Sequence, residues 1–93
     1  MKVYQISYEL RNQSHFEPLF KRINACGYWC RPLESTWIIT STQGVMELRA
    51  ELIKALGDDD QLLVTRLHGD AAWQGIDADS ATWMNNQMRD NDA

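Results

Sequence analysis

The chain has 93 residues, of which 44% are hydrophobic, 10% aromatic and 24% charged; that is apolar material for one compact core, and the length excludes two domains. Nine Lys and Arg against thirteen Asp and Glu leave a net charge of -4, with a pI near 4.9. This composition argues against wholesale disorder and against broad electrostatic capture of a phosphate backbone, so a nucleic-acid role would need a local basic patch or a metal.

Residues 2–10 alternate, with Tyr4, Ile6, Tyr8 and Leu10 on one face and Val3, Gln5, Ser7 and Glu9 on the other, the period of a strand with one face in the core. A polar turn over 11–14 leads to Phe16, Leu19, Phe20 and Ile23 at helical spacing, with Gly27 at the C-cap position. Ser14 with Glu17 could form a capping box, or Glu17 could cap a helix opening on Pro18; a start near Phe16 is expected. Residues 28–33 read as a strand that Pro32 confines to a sheet edge. After the turn at Glu34 and Ser35, residues 36–40 (TWIIT) suit an interior strand, and the two strands form a hairpin.

Ser41 or Thr42 can cap a second helix whose stripe is Val45, Leu48, Leu52, Ile53 and Leu56, ending at Gly57. Asp58 to Asp60 form a loop, and residues 62–67 (LLVTRL) a fourth strand. A glycine-punctuated stretch with Trp73 follows; Asp77 or Asp79 then caps a short helix carrying Trp83, Met84 and Met88, and residues 89–93 read as a frayed end. No apolar run reaches the length that spans a bilayer and the first residues form no signal-peptide core, so a soluble cytoplasmic protein is expected, with no membrane contact. Cys26 and Cys30 match neither a redox pair nor a common zinc spacing and read as two thiols in a reducing compartment.

The order βαββαβ over residues 1–67, with right-handed crossovers, gives an α+β ferredoxin-like sandwich. Its antiparallel sheet has four strands in order 4-1-3-2 and both long helices on one face, and residues 68–93 form a C-terminal extension of the same single domain. The other face is then open, bearing Gln5, Ser7 and Glu9 with Trp37 or Ile38, and invites a second subunit or the C-terminal segment. The four tryptophans point the same way.

Several residues are candidates for chemistry. Glu9, at the end of a central strand, is either a solvated acid or, paired across a two-fold axis, half of a carboxylate pair able to hold Mg²⁺. Arg11, Arg31 and Arg66, interleaved with Tyr28, Trp29 and Trp37, are the composition of a single-stranded RNA surface or of a protein interface, and the acidic pI favours the latter. Ser35 lacks the glycine elbow of a hydrolase nucleophile, and His68 with Asp70 reads as a loop pair. Asp58 to Asp60 lack the spacing of a calcium loop and read as a solvated turn, or as the acidic surface of an inhibitor.

The opening MKVYQISYEL, the central LESTWII and the later LLVTRL with its following glycine, aspartate and tryptophan resemble the small bacterial proteins called SinR-like. These look like relatives of the ferredoxin-fold CRISPR-associated spacer-acquisition nucleases and of VapD-type ribonucleases. In the CRISPR-associated relatives a Tyr-Asp-Ile or Tyr-Asp-Leu motif ends the first strand, its aspartate being the proposed metal ligand at a dimer axis. Tyr8, Glu9 and Leu10 occupy that motif here, with the carboxylate one methylene further out, and Ser35, Thr36 and Trp37 resemble the serine-x-phenylalanine opening the third strand. The resemblance implies a homodimer built through sheets and C-terminal segments. The function it leads to is binding, with protein or single-stranded RNA as partner and no cofactor required, in a prokaryotic defence, toxin–antitoxin or nucleic-acid-handling module. Contacts would come from Arg11, Arg31, Ser35, Trp37 and Arg66. The rivals are a Mg²⁺-dependent endoribonuclease with Glu9 as catalytic residue and metal ligand, and an acidic immunity or inhibitor protein.

Overall fold

The computed structural model describes residues 1–91. Its elements are β1 (Lys2–Glu9), α1 (Phe16–Cys26), β2 (Tyr28–Leu33), β3 (Thr36–Ser41), α2 (Val45–Leu52), β4 (Gln61–Arg66) and α3 (Ala78–Asn91), with 3₁₀ turns at Gln13–His15 and Ile53–Ala55. The four strands form one antiparallel sheet in the order β2-β3-β1-β4, the ferredoxin-like arrangement, with β1 and β3 central. Strand β1 is central because it pairs with β3 along one edge and with β4 along the other. Tyr4, Ile6 and Tyr8 meet Leu19, Ile23, Leu48 and Leu52 of the two helices together with Trp37 and Ile39, while Val3 belongs to a second cluster beneath the sheet.

Local chemistry explains the boundaries. Asn12 opens the 3₁₀ turn ahead of α1, its Oδ1 accepting from Ser14 N at 2.9 Å, so neither Ser14 nor Glu17 caps the helix as the sequence suggests. Gly27 follows α1 in an extended conformation, and a Cβ there would lie 1.8 Å from the Thr40 carbonyl oxygen; close approach to β3, not a left-handed cap, demands glycine. Helix α2 begins after Gly44, whose N–H donates to Glu47 Oε1, whereas Ser41 is buried at the end of β3. The helix is also shorter than its apolar stripe: Leu48 and Leu52 are buried, but Val45 and Ile53 are exposed. Arg22 Nη1 and Glu51 Oε1, 2.7 Å apart, tie α1 to α2.

The second sheet face is not wholly open. Helix α3, capped by Asp77 Oδ2 accepting from Ser80 N at 2.9 Å, lies under β1 and β2. It packs Met84 onto Val3, Cys30 and Ile38, with Leu67, Ile76, Trp83 and Met88 around them. The C-terminal helix is longer than expected because its apolar stripe has a sheet to bury against. Arg89 stands within it, and residues 92 and 93 of the expected frayed end lie outside the described residues. No helix among the described residues is long and apolar enough to cross a membrane.

Candidate functional site

The alternation of β1 puts Gln5, Ser7 and Glu9 on the face that α3 only partly covers. The register places Ser7 opposite both Thr36 of β3 and Leu63 of β4, and Glu9 opposite Gln61. Gln5 Nε2 donates to Ser7 Oγ, and Ser7 Oγ shares a hydrogen bond with Thr36 Oγ1, each at 3.1 Å, giving a polar line across the two central strands. Two hollows meet at Thr36. One, of about 320 Å³, lies between the sheet and α3, with Ile38, Leu67, Trp73, Met84 and Met88 as apolar wall and Gln5, His68 and Asp70 as its polar part. The other, of about 420 Å³, is framed by Ser7, Glu9, Ser35, Gln61 and Leu63.

Glu9 therefore stands, exposed, where the sequence places it, and Ser35 lies in the same hollow. The arginines do not gather. Arg11 follows β1, its backbone N–H donating to Asp60 Oδ1 at 2.8 Å. Arg31 and Arg66 sit on opposite edge strands. The Arg31 guanidinium lies on the helix-bearing face, 4.7 Å from the Phe20 ring centroid and 5.8 Å from that of Trp37, and donates to the Glu34 carbonyl. Arg66 pairs with Tyr4, also on that face. Among the described residues no continuous basic strip crosses the open face.

Trp37 is a correction. It is 4% exposed, packed under α1 with its ring centroid 5.3 Å from that of Phe20 and 4.5 Å from that of Trp29, and its Nε1 donates to Tyr8 Oη at 3.0 Å. A side chain so enclosed is core rather than a contact residue, and Ile38 takes the other face. The other tryptophans differ: Trp29 stacks over Trp37 and stays 40% exposed, Trp83 of α3 is partly buried against the second cluster, and Trp73, 37% exposed, borders the hollow.

The acidic loop also divides. Asp58 and Asp59 are exposed, but the Asp60 side chain is 2% exposed and accepts from Gly57 N, Arg11 N and His15 Nδ1. Those bonds, led by the one from Gly57 N, hold its carboxyl down to about 2. His15 is the residue that sequence reading missed, since nothing local links it to an aspartate 45 positions away. Burial pushes the Cys30 thiol up to about 11, against a hydrogen bond from Ser80. Burial likewise raises Tyr8, against the bond from Trp37. Cys26 and Cys30 lie on opposite sides of the sheet, one under the helices and one under α3.

A divalent cation asks for one or two carboxylates plus waters in a near-octahedral shell. Glu9 offers one carboxylate, and no cluster of three or more His, Cys, Asp or Glu able to hold a metal occurs among the described residues.

No protein-family model matches the sequence, and no curated protein matches it. Among solved structures, the chain is similar to one described as the crystal structure of a hypothetical protein TT1823 from Thermus thermophilus. The TM-score is 0.67 at 17% identity, over 81% of this chain and 92% of that one. Likeness at that identity establishes a shared fold.

Proposed function

We propose that this chain is a cytoplasmic binding protein that works as a homodimer in a prokaryotic defence, toxin–antitoxin or nucleic-acid-handling module, taking protein or single-stranded RNA as its partner. The observation that carries this reading is the sheet face beside α3. Ser7, Thr36 and Glu9 lie there next to Leu63, which is 59% exposed, a polar centre with an apolar rim that a partner could cover. Ser35 and Arg11 flank the Glu9 end of that face, whereas Arg31 and Arg66 serve only a partner that reaches round the edge strands.

The second reading, a Mg²⁺-dependent endoribonuclease, rests on Glu9 projecting into a hollow with Ser35 and Gln61. Two copies meeting over that hollow would supply the carboxylate pair, and the metal would polarise a phosphate and lower the pKa of a bound water. The inhibitor reading loses Asp60, whose carboxylate is spent inside the fold.

Labelled single-stranded RNA incubated with purified protein in Mg²⁺, Mn²⁺ or EDTA, with Glu9→Ala alongside, separates these readings. Retention of the RNA without cleavage, or no interaction with RNA and a dimer in sedimentation, supports binding. Metal-dependent cleavage lost in Glu9→Ala overturns it in favour of the nuclease.

A further inference from the structure

The two edges of the sheet are not alike. Strand β2 is interrupted by a register shift between Cys30 and Leu33 that contains Pro32, two features that keep another strand from pairing. Strand β4, residues QLLVTR, has no proline, and its pairing with β1 runs without a shift from Gln61 to Arg66. Its only formal charge is Arg66, at its end.

The direction of its backbone groups follows from two bonds. Tyr8 N donates to Ser35 O, so the even-numbered residues of β1 bond to β3, and Leu67 N donates to Val3 O, so the odd-numbered ones bond to β4. In β4 it is then Gln61, Leu63 and Thr65 that bond to β1, while the N–H and C=O groups of Leu62, Val64 and Arg66 point away from the sheet. β4 ends the sheet, and no strand lies beside that row among the described residues.

We infer that this row is the dimer contact: β4 pairs antiparallel with β4 of a second copy, joining the two four-stranded sheets into one. The inference rests on the homodimer reading and specifies its surface. Self-pairing is favoured by the strand's own sequence. With Val64 on the two-fold axis, Val64 faces its own copy, Leu63 faces Thr65 and Leu62 faces Arg66, so every opposed pair shares a face and no like charges meet. It is favoured also by closure, because the pairing uses the one unprotected edge of each copy and leaves only the blocked β2 edges, which stops growth at two. An extended peptide would find the same edge but would leave the chain monomeric by itself.

Two measurements test this on the intact chain. Sedimentation velocity of wild type should give twice the 10.8 kDa chain mass, and Val64→Pro, which removes an outward N–H and no bond to β1, should give the monomer with unchanged far-ultraviolet circular dichroism. Hydrogen exchange of wild type should show the amides of Leu62 and Val64 on the order of 10-fold slower at high than at low protein concentration, as expected of groups protected by association. A dimer whose Leu62 and Val64 amides exchange at the same rate at all concentrations overturns the edge contact and leaves the dimer standing. A wild-type monomer across the micromolar range overturns both.

Discussion

His15 Nδ1 and Asp60 Oδ2 stand 2.6 Å apart and join the turn before α1 to the loop before β4. The same carboxylate accepts from the backbone N–H groups of Gly57 and Arg11, so donors from the segment before α1 and from its own loop converge on one side chain. Those bonds exist to the ionised form, which is why the carboxyl sits at about 2 instead of 3.8.

A carboxyl depressed on folding stabilises the native state above its unfolded pKa, and that contribution disappears as pH falls through the folded one. Asp60 should therefore add stability that is fully present above pH 3.8 and is lost as pH falls to about 2. Urea melts of wild type and Asp60→Asn across that range should show a large difference at neutral pH that narrows as the acid limb is descended. A constant difference would mean that the carboxylate's charge is not what the site uses.

Tyr8→Phe isolates a different bond. It removes the oxygen that accepts from Trp37 Nε1 and donates to the Glu34 carbonyl, leaving a buried indole N–H without its partner. A loss of about 1–3 kcal/mol is expected in denaturant melts followed by tryptophan fluorescence.

Thr40→Val should do the opposite. Thr40 is fully buried and its Oγ1 has no hydrogen-bond partner among the described residues. A methyl of the same shape removes that unsatisfied oxygen and keeps a β-branched residue in an interior strand, so a gain of about 1 kcal/mol is expected by the same melts.

Leu52→Ala measures the helix-bearing core. Leu52 is fully buried at the end of α2, and the variant should lose about 2–5 kcal/mol in urea. A loss below roughly 0.5 kcal/mol would contradict its placement against β1.

The two thiols offer a chemical check. Cys26 and Cys30 lie on opposite sides of the sheet, so mild oxidation of the native protein should give no internal disulfide by mass spectrometry. Cys30, raised from 9.0 to about 11 by burial, should react with iodoacetamide at least about 100-fold more slowly in the native than in the unfolded chain.

Much of the fold was legible because it depends on periods of two and 3.6 that survive in a single sequence. The alternation of β1, the edge position of β2 marked by Pro32 and the strand order all agree with the structure. Boundaries were less legible where a neighbour decided them. Gly27 stands where a helix C-cap belongs, but what demands glycine there is the Thr40 carbonyl pressed against it. Of the site, the alternation of β1 puts Glu9 on the open face, but that Ser35 shares its hollow depends on the β1–β3 register, and the faces taken by Arg31 and Arg66 depend on register and on the bulge in β2.

Hydrophobic spacing and the chemistry of proline act locally, so the set of elements, the central place of β1 and β3 and most of the core can be read from the chain alone. Tertiary structure alone decided which side of β3 Trp37 faces, how far α3 covers the second sheet face, and that Asp60 turns inward to His15 instead of outward with Asp58 and Asp59. Each of those depends on a partner distant in the chain. A side chain's burial or ionisation is set by the groups that folding brings beside it, and no local pattern encodes them.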